Sequence, residues 1–199
     1  MSLRLYYIII ISLVFSPGYG ATITTGKDEQ ALLPYWQLQS GVMRLRLVQR
    51  LPDQTRAYFS GRGFNKADVE LIASYCFFQS VYKNTNKAHS SEIIEYNLTD
   101  WKLVYQEKNL SLMVREKWQD IWQSRNIKQA QKIAMEWSLL PTRQTLKSAD
   151  YNWGMTAYPV PHGATFDLDI IWKINGKVRK ARIPDMKCAN DIYVPPVEE

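Results

Sequence analysis

The chain has 199 residues, 25 Lys and Arg against 19 Asp and Glu, a formal charge of +6, and 13% aromatic residues. That length allows one domain with a substantial core and is short for two. The basic surplus is spread along the chain, which argues against the concentrated stripe of a nucleic-acid binder and leaves weak attraction to anionic surfaces.

Residues 1–20, "MSLRLYYIIIISLVFSPGYG", carry Arg4, an apolar run from Leu5 to Phe15, no acid, and small residues at Gly18 and Gly20. This is the layout of a secretory signal peptide, with cleavage expected near Gly20. The competing reading is an uncleaved anchor, for which the run of about 11 apolar residues is short beside the roughly 20 of a spanning helix. No other stretch reads as a membrane span, so residues 21–199 are expected to be one exported globular domain.

A polar segment, Thr22 to Glu29, reads as a flexible tail. In "VMRLRLVQ" Met43, Leu45 and Leu47 alternate with Arg44 and Arg46, which predicts a half-buried strand with a basic outer face. Pro52 and Asp53 suit a helix start and Gly61 its end; a hairpin through the same residues is the alternative. In "GRGFNKADVELIASYCFF", Asn65 is placed to cap a helix whose inward face is Val69, Ile72, Ala73 and Cys76, followed by a strand from Phe77 to Lys83. One or two strands follow in "SEIIEYNLTDWKLVYQ", with Trp101, Leu103 and Tyr105 on one face.

From Met113 to Leu140 the period becomes helical. Val114, Trp118, Ile121 and Trp122 form one stripe, and Ala130, Ile133, Ala134 and Trp137 a second, with a break near Asn126; two antiparallel helices packed on a sheet are expected. Phe166, Leu168, Ile170, Trp172 and Ile174 then alternate up to Asn175-Gly176, the dipeptide of a two-residue hairpin turn. That turn fixes a register in which Ile174 faces Lys177, Trp172 faces Arg179, Ile170 faces Ala181 and Asp169 faces Arg182. The Pro-rich end "YVPPVEE" reads as a second flexible tail. The fold class is therefore α+β: an antiparallel sheet or β-sandwich with an inserted helical hairpin and a single disulfide.

The two cysteines, Cys76 and Cys188, are expected to form that disulfide in an oxidising compartment. The alternatives are two buried free thiols, or a metal pair for which neither cysteine has a second ligand at motif spacing.

Catalytic signatures are missing: the sequence contains no G-x-S-x-G, H-E-x-x-H, C-x-x-C or Walker loop, and its two histidines are His89 and His162. Glu116 and Glu136, with His162, are the acid–base candidates for a hydrolase-type alternative; capped or salt-bridged structural carboxylates are the plainer reading. "GRGFNK" offers an anion site at Arg62 and Lys66, where a helix begins, or else a simple connector. The span Asp150 to Gly176 contains Trp153, Tyr158 and His162, which either close the end of a sheet or line a groove for an organic or protein ligand. Met155, His162 and Met186 make a soft ligand set that suits Cu(I), and copper is the cofactor alternative to none. Most aromatics fall on faces expected to be buried, except Trp36 and Trp153. The expected partner is another extracytoplasmic protein or a small ligand, with no nucleic acid and no stable membrane span. The leading function is thus an exported, non-catalytic accessory or binding protein, with copper binding or delivery and an enzyme as alternatives.

Overall fold

The computed structural model describes residues 20–192. The expected leader, apart from Gly20, and the Pro-rich end from Tyr193 lie outside those residues. No helix among the described residues is long and apolar enough to cross a membrane.

Among the described residues, eleven strands form two antiparallel sheets that face each other across the main core. The first sheet has the order β1-β2-β3-β4-β9, from Thr22–Lys27, Pro34–Ser40, Met43–Gln49, Cys76–Asn84 and Tyr151–Tyr158. The second is built on β10 (Thr165–Ile174). On one side of it lies β11 (Lys177–Lys187). On the other, β5 (Ile94–Asn97) and β6 (Lys102–Tyr105) lie end to end, flanked in turn by β8 (Arg143–Leu146) and β7 (Lys108–Leu110). The alternation of apolar and polar side chains sends Leu38, Leu45, Phe78 and Tyr82 from one sheet, and Tyr96, Leu168, Ile170 and Trp172 from the other, into the shared interior.

Helices α1 (Pro52–Ser60), α2 (Lys66–Ala73), α3 (Arg115–Gln123) and α4 (Gln129–Ser138) form a layer with its own core. Phe59, Phe64, Val69, Ile72, Trp118, Trp122 and Met135 close over Phe77, Met155 and Ala157, the outward residues at one end of β4 and β9. The expected caps are present: Pro52 opens α1, Gly61 ends it, and the Asn65 side chain accepts a hydrogen bond from the Asp68 N–H at 2.9 Å. The Asn175-Gly176 hairpin has the anticipated register at all four pairs. Both turn residues have positive φ, 48° and 74°, as this turn type requires. Arg182 Nε lies 2.6 Å from Asp169 Oδ1, which completes the expected opposite-charge pair on the polar side.

Cys76 and Cys188 are bonded, with Cα atoms 5.6 Å apart and a sequence separation of 112. The bridge ties the start of β4 to the segment that follows β11. A second close approach lies at Gly154, where Leu139–Leu140 runs alongside β9 and the Leu140 N–H donates to the Met155 carbonyl at 2.9 Å. A Cβ on Gly154 would come within 2.7 Å of the Leu140 Cα.

Two expectations are corrected. The polar segment after the leader is not a tail: Thr22–Lys27 pairs with β2 along its whole length. Main-chain hydrogen bonds hold an edge strand that needs only Ile23 against the core. In α4 the buried face is Gln131, Met135 and Ser138, while Ala130, Ile133 and Trp137 are exposed, Trp137 by 79%. Both stripes have helical spacing, and the one that continues from buried Ile127 faces the core.

Candidate ligand-binding face

The helical layer covers only one end of the outer face of the first sheet. What it leaves open follows from strand pairing. Side chains of one pleat phase line up across the strands, so one row reads Thr24, Gln37, Arg46, Val81, Trp153 and the next reads Thr22, Gln39, Arg44, Lys83, Tyr151. With strands about 4.8 Å apart, each row spans about 19 Å. Neither row contains a carboxylate. Trp153 and Tyr151 are 62% and 61% exposed at the β9 end. Hydroxyls, amides, cations and aromatic rings thus succeed one another across a flat surface.

Toward α1 this face deepens into a groove of about 710 Å³ lined in part by Arg46, Arg50, Gln54, Tyr58, Gln79 and Val81. Arg46 is held in place: its guanidinium lies 3.5 Å from the Tyr35 ring centroid and 2.9 Å from Asp28 Oδ2. The Ala31 N–H and then Arg46 keep the Asp28 carboxyl below its ordinary value.

Arg50 differs. Its side chain donates to the Gln54 carbonyl at 3.3 Å, its Nε is enclosed without a hydrogen-bond partner, and it makes no ion pair among the described residues. Burial, with Arg62 nearby, lowers its affinity for the proton, yet a guanidinium stays charged at neutral pH. A half-buried cation without a counter-charge is costly, and an anion entering the groove would relieve that cost.

The residues singled out in the sequence are distributed differently. Trp153 lies on the open face, but Tyr158 is fully buried between the sheets and burial raises its hydroxyl pKa. His162 packs near the disulfide, with Nδ1 3.9 Å from Cys188 Sγ and Nε2 3.9 Å from Asp191 Oδ2. The three do not form one groove. Met155 belongs to the helical core and Met186 to the core between the sheets, so these thioethers and His162 do not converge on one point. Arg62 folds back over Tyr58, 3.2 Å from its ring centroid, while Lys66 is exposed at the start of α2. Glu116 accepts a hydrogen bond from the Thr142 hydroxyl at 2.7 Å, and Glu136 lies 4.0 Å from Arg115, so both tie α3 and α4 to their surroundings. Trp36, the other tryptophan without a predicted place, is buried.

The groups that do assemble are Arg44, Arg46, Arg50 and Lys83. The Arg-Leu alternation of β3 announces a basic outer face. Its meeting with Lys83, Tyr151 and Trp153 depends on pairings between distant strands, which local pattern does not carry.

No family model matches the chain, and no curated protein matches it. Among solved structures, a Bacillus subtilis protein assigned as a lipoprotein aligns with 12% identity and a TM-score of 0.40. The alignment covers 75% of this chain and 38% of that one, so this chain spans well under half of that protein. A likeness at this level carries no functional argument.

Proposed function

We propose that the chain is an exported, non-catalytic binding protein that uses the open outer face of its first sheet as its ligand surface. Export is supported by the leader-like residues 1–20 and by a disulfide of the kind that persists in oxidising compartments. The observation that carries the binding reading is the pair of carboxylate-free cross-strand rows running from Thr and Gln through Arg and Lys to Trp and Tyr.

The test is co-sedimentation of purified residues 21–199 with cell-envelope material from the source. The wild type is expected to sediment with it. Combined Arg44→Glu, Lys83→Glu and Trp153→Ala should reduce the bound fraction at least about fivefold, since cations are replaced by like charges toward an anionic partner. A charge-matched control, Lys173→Glu with Lys180→Glu on the outer face of the second sheet, should bind as the wild type does. Equal binding by the face variant and the control would overturn the proposal.

A second reading, an accessory protein docking through α4, is favoured by one observation: Ile133 and Trp137, one helical turn apart, are both exposed. Under that reading Trp137→Ala would abolish sedimentation and the face variant would not.

A further inference from the structure

We propose that the ligand of this face is an anionic, carboxylate-bearing polysaccharide, laid across the two cross-strand rows with one end in the groove beside Arg50; this rests on the binding reading above. Charge complementarity is the first argument. The uncovered rows present Arg44 and Lys83 with no carboxylate in either row, Arg46 is already paired with Asp28, and the adjoining groove adds Arg50, whose Nε is enclosed without a hydrogen-bond partner. Guanidinium groups match carboxylates with paired, directional hydrogen bonds.

The neutral groups make the second argument. On one side each of the two arginines has an amide across the strand and a hydroxyl one strand beyond it: Gln37 then Thr24 from Arg46, Gln39 then Thr22 from Arg44. Such groups both donate and accept, as sugar hydroxyls do. Trp153 and Tyr151 supply flat apolar faces at one end, against which the C–H face of a sugar ring can lie. A lipid surface would instead call for a protruding apolar cluster along the face, and between these rings and the Thr strand the outward residues are mostly polar or charged.

The experiment uses residues 21–199 and oligogalacturonate of about ten sugars as the probe, titrated by calorimetry. The methyl-esterified oligomer keeps the sugar and removes the charge. Vesicles of anionic phospholipid and a single-stranded oligonucleotide are the other arms. Oligogalacturonate is expected to bind at least about tenfold tighter than its ester and than either other arm. Raising the salt should weaken it. Arg44→Gln with Lys83→Gln should weaken it at least about tenfold, and Trp153→Ala about fivefold, with unchanged melting temperatures.

Equal binding of acid and ester, tighter binding to vesicles or oligonucleotide, or indifference to the face variants would each overturn the proposal. If oligogalacturonate fails while envelope sedimentation still depends on the same face, the ligand class is wrong and the binding face stands. If sedimentation is also indifferent to the face, both fall.

Discussion

Replacing Cys76 and Cys188 together by alanine should lower the stability of the folded chain by about 3–5 kcal/mol. The bridge closes a loop of 112 positions, which chain entropy values at up to about 4–5 kcal/mol, and both side chains are almost fully buried, so small cavities add to the loss. For a domain of this size that corresponds to a fall in melting temperature of roughly 6–20 °C. Reduction of the wild type should produce most of that shift, without the cavity contribution, and thermal denaturation with and without reductant measures it. A reduced protein melting within about 2 °C of the oxidised one would show that the bridge does not constrain the unfolded chain.

Gly154→Ala should be the most damaging single methyl group in the first sheet. Its Cβ would meet main-chain atoms, the Leu139 carbonyl carbon at 2.6 Å and the Leu140 Cα at 2.7 Å, rather than the yielding end of a side chain. Relief requires moving the segment that leaves α4 away from β9, which weakens the Leu140-to-Met155 hydrogen bond and opens the packing of Leu139 on Met155. The expected cost is about 2–3 kcal/mol, within the usual range for overpacking against a fixed wall. Chemical denaturation is the measurement. An unchanged midpoint would mean that α4 docks loosely on the sheet.

Much of the fold is legible locally because its strongest signals are local. The Asn175-Gly176 turn sets the β10–β11 register by itself, and Pro52, Gly61 and Asn65 mark helix ends through backbone chemistry that acts within a few residues. Beyond Ile183 the register shifts, and Asp185 takes a positive φ of 52° as its N–H binds Asp167. That irregularity depends on a tertiary contact and leaves no turn dipeptide. The edge strand β1 was hidden for a different reason: main-chain pairing, which no side-chain pattern reports, holds most of it. In α4 the larger residues, Ile133 and Trp137, drew the predicted stripe to the wrong side, because hydrophobicity alone cannot say which of two helical faces has a neighbour.

The candidate site shows the same division. Arg44 and Arg46 can be read from β3 alone, and Trp153 stands out as an aromatic with no predicted place inside. Lys83 reads as a strand end, and Arg50 carries no signal of its own until β3, β4, β9 and α1 are brought together. The trio Trp153, Tyr158, His162 came from proximity in sequence, and a β-strand sends alternate residues to opposite faces; the set Met155, His162, Met186 came from ligand softness, and its two thioethers fall in different cores.

The most direct test of the binding face uses the chain's seven tryptophans as reporters. Isotopically labelled residues 21–199 would be titrated with solubilised envelope extract while indole and backbone N–H signals are followed by NMR. The indole of Trp153 and the amides of Arg44, Arg46, Val81 and Lys83 are expected to shift or broaden together, with the Trp137 indole unchanged. Perturbation of Trp137 and Ile133 with the Trp153 row untouched, or no perturbation at all, would contradict the assignment.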